Sequence, residues 1–120
     1  MKIKTSELIG AALDWAVCKA VGMIAAYPKM ESGKTFVRMW NGNSTKYVHP
    51  STDWSQGGPI IEREGFWLMK LSSDTWDCDT NGESFEGQHQ MGPTPLIAAM
   101  RCFVASKLGD EVDVPEELLS

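Results

Sequence analysis

Thr94-Pro95 stands directly before an apolar run that keeps a helical period from Leu96 to Leu108, and no other part of this chain constrains its fold as strongly. Thr94 is placed to cap a helix and Pro95 to occupy its first turn, where a missing N–H costs nothing. Leu96, Ile97, Met100, Phe103, Val104 and Leu108 form an apolar stripe, and Gly109 ends it. A second stripe lies near the other terminus, at Leu8, Ile9, Ala12, Leu13, Ala16, Val17 and Ala20. There Thr5 or Ser6 is the expected cap, Glu7 suits the positive end, Asp14 falls inside the helix and Gly22 stops it.

Between the two helices the pattern changes to strands. A loop is predicted through Pro28, Ser32 and Gly33, then a β-hairpin with arms Thr35–Trp40 and Thr45–Val48 around Asn41-Gly42. Pro59 to Glu64 reads as a short helix closed by Gly65; a start as early as Thr52 stays open, although Gly57, Gly58 and Pro59 would weaken the interior of such a helix. Phe66 to Leu71 reads as a largely buried strand, Asp74 to Asp79 as a second, and Asn81-Gly82 as a turn into a third at Ser84 to Gly87. Trp40, Trp67 and Trp76 are read as core. The fold class expected is α+β, a small antiparallel sheet packed with N-terminal and C-terminal helices as an α/β sandwich. A chain of 120 residues fits one domain, and residues 110–120, with Val112, Val114 and Leu118, read as a loosely docked acidic tail.

Charge narrows the partners. Sixteen acidic against 11 basic residues give a net charge of −5, and the basic residues are scattered. Duplex DNA and anionic membranes need a concentrated basic surface, so neither is an expected partner. The N-terminus lacks the form of a signal peptide or a spanning segment, which places the expected location in the cytoplasm. Cys18, Cys78 and Cys102 are odd in number and unpaired in spacing, and they read as reduced thiols. His49 and His89 have no close-spaced partners of the kind a metal requires, so no metal or cofactor is expected.

Two helix starts suit an anionic ligand: the one at Thr94 and the segment Pro50-Ser51-Thr52-Asp53-Trp54. If they converge, Ser51, Thr52 and Thr94 with nearby amides could hold phosphates. Arg38, Arg63 or Arg101 would neutralise the charge, and Trp54 or Trp40 would stack on a base. Asp53 opposes an anion but can accept hydrogen bonds from ribose hydroxyls. The plain alternative is that each helix merely caps itself. Catalysis has little support: His49 is two residues from Ser51 and near Asp53, but adjacency in a loop is not a triad.

The runs Leu13-Asp14-Trp15-Ala16-Val17, Ser51-Thr52-Asp53-Trp54, Gly57 to Glu64 and Gly92 to Arg101 occur in an order that resembles the NinX-type small proteins of lambdoid phages and prophages. More distantly, the arrangement resembles phage domains built as helix-sheet-helix sandwiches. The resemblance implies a phage accessory protein in the bacterial cytoplasm and brings no catalytic residues with it. Two functional expectations follow. One is a non-enzymatic binder that sequesters a nucleotide-like defence signal, such as a cyclic ADP-ribose-type molecule. The other is a protein-interaction module for a host or phage replication, recombination or defence protein, suited by an acidic surface and seven methionines. Homo-oligomerisation through a sheet edge is compatible with either.

Overall fold

The computed structural model describes residues 1–22, 26–40, 45–80 and 89–119. In chain order the elements are β1 (Lys2–Lys4), α1 (Gly10–Val21), β2 (Ala26–Glu31), β3 (Lys34–Trp40), β4 (Thr45–Val48) and α2 (Trp54–Glu64). They continue with β5 (Trp67–Ser72), β6 (Thr75–Asp79), β7 (His89–Gly92), α3 (Pro95–Leu108) and β8 (Glu111–Asp113). Short 3-10 turns occupy Thr5–Glu7 and Glu116–Leu118.

Helix α3 is the centre of the molecule. Thr94 caps it, its Oγ1 accepting from the Ile97 amide at 3.1 Å, and Pro95 fills the first turn as the sequence predicts. Its burial is wider than the predicted stripe: Leu96 to Met100 and Cys102 to Ala105 are all buried. A helix apolar on every side needs cover on every side. Here α1 and α2 pack on it, and so do the strands of β5, β6 and β7.

The class is α+β with antiparallel pairing throughout, but the strands divide among three small sheets rather than one: β1-β8, β2-β3-β4 and β5-β6-β7. The loop predicted through Pro28 is strand β2, paired with β3 from Ala26↔Met39 to Glu31↔Lys34. Pro28 is tolerated because β2 is an edge strand, where a missing N–H breaks no ladder. Ser32 and Gly33, at φ +52° and +79°, form the two-residue turn between the strands, both in the left-handed region that such tight hairpins require. The arms of the predicted β3–β4 hairpin pair as expected, whereas its Asn41-Gly42 turn lies outside the described residues. So do Asn81-Gly82 and the strand predicted at Ser84 to Gly87; the third strand seen is β7.

Neither Thr5 nor Ser6 caps α1. The Thr5 hydroxyl instead donates to the Gly109 carbonyl at 2.6 Å, its amide to Asp110 at 2.7 Å, and α1 begins only at Gly10, where φ is +60°. Gly22 closes α1 in a left-handed cap, as predicted. Helix α2 begins five residues before Pro59, at Trp54, because the Asp53 carboxylate accepts from the Ser55 amide at 2.9 Å and caps it. At the C-terminus β8 pairs with β1, while Val112, Val114 and Leu118 are buried.

The segment predicted as a largely buried strand, β5, is exposed along most of its length. Trp67, Met69 and Leu71 are 59, 61 and 52% accessible, so Trp67 is not core. A continuous apolar run cannot reveal by periodicity which face is covered. Cys18, Cys78 and Cys102 are buried and form no disulfide, and the Cys102 thiol donates to the Cys78 carbonyl at 3.4 Å. Burial, reinforced by the Asp14 charge, pushes the Cys18 thiol up to about 12.

Candidate functional site

The two predicted helix starts do meet within one chain, but through apolar packing. Gly57 in the first turn of α2 lies so close to Leu96 in the first turn of α3 that an added Cβ would stand 2.7 Å from Leu96 Cδ2. Their capping groups are already occupied: Thr94 by the Ile97 amide, and Asp53 by both the amide and the hydroxyl of Ser55. The Ser55 hydrogen bonds hold the Asp53 carboxyl below its usual range.

The other candidates are dispersed. Ser51 is buried and its amide donates to Asp14 Oδ1 at 2.9 Å. Thr52 is exposed on the turn that precedes α2, and Trp54 is accessible, as its setting predicted, at 55%. Arg63 contacts Glu64 at 3.2 Å and lies over the Phe103 ring, and Arg38 lies over Tyr47 at 4.7 Å. The side chain of Trp40 lies outside the described residues. Arg101 is a clamp: its Nε donates to the Leu8 carbonyl at 2.7 Å and an Nη to the Met91 carbonyl at 2.8 Å. Those bonds join the turn before α1 to β7 across α3, so Arg101→Met is expected to cost about 2 kcal/mol, measured by urea unfolding.

The strongest constellation is one the sequence reading did not assemble. A cleft of about 410 Å³ is lined by Gly10, Ala11 and Asp14 of α1, Lys34 to Val37 of β3, Tyr47 and Val48 of β4, and His49 and Thr52 of the following turn. Asp14 is only 6% exposed, and burial raises its carboxyl to about 6 although the hydroxyl and amide of Ser51 oppose the rise. His49 Nδ1 stands 3.8 Å from Asp53 Oδ2 at the same turn. Phe36 and Tyr47 meet edge to face, with centroids 5.5 Å apart. Thr35 Oγ1 is buried with no hydrogen-bond partner among the described residues.

The start of α1 completes this arrangement. Its N-cap position is Ile9, which has no side chain able to cap, so the amides of the first turn lack the acceptor that Asp53 and Thr94 give the other two helices. A second cavity of about 390 Å³ shares Gly10, Ala11, Lys34 and Thr35 and reaches Glu7 and Leu118. A signal for Asp14 was present in the sequence: it is a carboxylate with Leu13, Ala16, Val17 and Cys18 as its helical neighbours.

Among the described residues, no group of His, Cys, Asp and Glu is arranged to hold a metal ion, and no helix is long and apolar enough to cross a membrane. The family model described as Bacteriophage P22, NinX matches residues 4–107. No protein of curated function matches the chain.

Proposed function

Because the chain belongs to the bacteriophage P22 NinX family, we propose that it is a phage accessory protein that binds and sequesters a nucleotide-like host defence signal without transforming it. The observation that carries this reading is the cleft beside the start of α1. It gathers a buried carboxyl, an ammonium group, an imidazole, hydroxyls and two aromatic rings around about 410 Å³. Such a volume falls in the range of small-molecule sites.

Each kind of group has a matching part of a nucleotide. The uncapped amides of α1 and Lys34 take phosphate. Asp14 and Thr52 take ribose hydroxyls, while Phe36 and Tyr47 stack with a base and the indole of Trp54, two residues beyond Thr52, closes over it. The orphaned Thr35 hydroxyl gains the partner it lacks. Of the segment Ser51 to Trp54 the cleft is lined by Thr52, and this reading moves the phosphate away from the self-capped starts of α2 and α3. A sponge of this kind needs affinity and no reacting groups.

A thermal-shift screen of the full chain against adenine and guanine nucleotides, cyclic dinucleotides, ADP-ribose and its cyclised forms tests this. Binding to the folded state alone at a ligand concentration about 100 times Kd adds about 2.7 kcal/mol, which raises Tm by several degrees. That rise is expected with one ligand class, and Lys34→Glu or Trp54→Ala is expected to abolish it while leaving the unliganded Tm within about 2 °C. No shift with any of these molecules would overturn the reading.

A further inference from the structure

Two cavities adjoin at the start of α1, since the cleft of about 410 Å³ and the second cavity of about 390 Å³ have Gly10, Ala11, Lys34 and Thr35 in common. The ridge between them is nearly bare backbone: Gly10 stands at φ +60°, and nothing lies within 4 Å of the position a Cβ would take there. Along that ridge are the uncapped amides of α1, the Lys34 ammonium and the Thr35 hydroxyl, which lacks a partner among the described residues. The two sides differ in kind. On the first stand the rings of Phe36 and Tyr47, with Asp14 and His49. The second is lined by Ile3, Leu8, Ile9, Leu118 and Leu119, and among the described residues it holds no aromatic ring and a single carboxylate, Glu7. Either cavity alone falls in the size range of small-molecule sites, so a mononucleotide seated in the first leaves the second filled with water.

We propose that the second cavity receives the sugar of a nucleoside diphosphate sugar, whose base lies in the first cavity and whose pyrophosphate crosses the ridge at Gly10. This inference rests on the nucleotide reading of the first cavity and names the class of nucleotide that the whole site takes. A sugar ring lays its C–H face on aliphatic side chains and donates its hydroxyls to a carboxylate, which is what Ile9, Leu119 and Glu7 offer together. A second base would find no ring to stack on. A terminal phosphate, in turn, would meet the like charge of Glu7. Ligands that end in an uncharged sugar are therefore favoured over those that end in a phosphate, and the chain selects among nucleotides that share one base.

Isothermal titration calorimetry of the full chain tests the proposal with two pairs of probes, ADP against ADP-ribose and UDP against UDP-glucose. Within each pair the base and the pyrophosphate are the same and only the sugar is added. In whichever pair the first cavity accepts, the sugar ester is expected to bind about tenfold tighter, the worth of one charge-assisted hydrogen bond. Glu7→Gln is expected to weaken the sugar ester and tighten the free diphosphate, bringing the two within about threefold of each other. Glu7 is exposed, so this variant should keep the unliganded Tm within about 2 °C of the wild type. Lys34→Glu, by contrast, should weaken both members of the pair, because the pyrophosphate is common to them. Equal affinity for diphosphate and sugar ester, or a preference that survives Glu7→Gln, would overturn the inference while the nucleotide reading stands. Binding of neither member of either pair would overturn both.

Discussion

Gly57→Ala is expected to destabilise the protein by about 3 kcal/mol, although alanine is the better helix former by about 1 kcal/mol. A Cβ at Gly57 would collide with the Pro50 carbonyl oxygen and stand 2.7 Å from Leu96 Cδ2. The leucine could change rotamer, but the carbonyl belongs to backbone held in place on either side. The adjoining Ser51 amide is bonded to Asp14, and the His49 amide donates to Gln56 Oε1 at 2.9 Å. Relief therefore requires the turn before α2 to move as a unit, which would separate the two helix starts and open the Asp14 contact. Gly58 supplies the control. A Cβ there meets only Trp54 Cε3 at 3.8 Å, an ordinary contact, so Gly58→Ala should be neutral or stabilise by about 0.5 to 1 kcal/mol. Thermal unfolding should separate the two variants by roughly 10 °C or more. Equal melting temperatures would mean that α2 and α3 are not packed this closely.

This pair of glycines also shows how far the sequence could be read. The start of α3 was legible because Thr94, Pro95 and the apolar run specify the same boundary from three independent effects. At α2 local effects conflict: Asp53 favours a start at Trp54, while Gly57, Gly58 and Pro59 disfavour the helix that follows. Tertiary contact decided the outcome, since only a residue without a side chain fits at position 57. Strand β2 was missed for a related reason, as Pro28 signals a loop unless the strand is known to lie at an edge. Exposure of β5 depends on which elements cover the sheet, and a run that is apolar from Phe66 to Leu71 except at Lys70 carries no information on that. Thr52, which lines the cleft, was singled out by its helix-start context. Asp14 was passed over because its significance arises from residues more than thirty positions away in sequence, at Ser51 and His49.

Stability is expected to fall as pH rises from about 4 to about 6, and Asp14→Asn is expected to remove that fall. The folded-state pKa of Asp14, about 6, lies above the unfolded value of 3.8, so in this window the folded chain binds the extra proton and loses stability as the proton leaves. A difference of about two units corresponds to roughly 3 kcal/mol, fully charged against the fold above pH 6. The capping carboxylate Asp53 and the chain-terminal partner Asp113 have the opposite sign, because both are lowered and stabilise only until the pH falls through their folded values. Maximum stability should therefore lie on the acid side of 6. In Asp14→Asn the amide oxygen still accepts from Ser51, so the contact survives and the titration does not. Urea unfolding at pH 7.5 should show the variant more stable by about 1 to 3 kcal/mol, with a flat profile between pH 4.5 and 7. A buried carboxyl that costs stability while lining an open cleft has the character of a ligand-contacting group. If Asp14 accepts hydroxyl protons from a bound nucleotide, the stabilised variant should bind about tenfold more weakly, losing a charge-assisted hydrogen bond worth roughly 1.4 kcal/mol. Undiminished affinity in a stabilised Asp14→Asn would assign Asp14 to joining α1 with the turn before α2, and leave ligand contacts to Lys34, Thr52 and the aromatic rings.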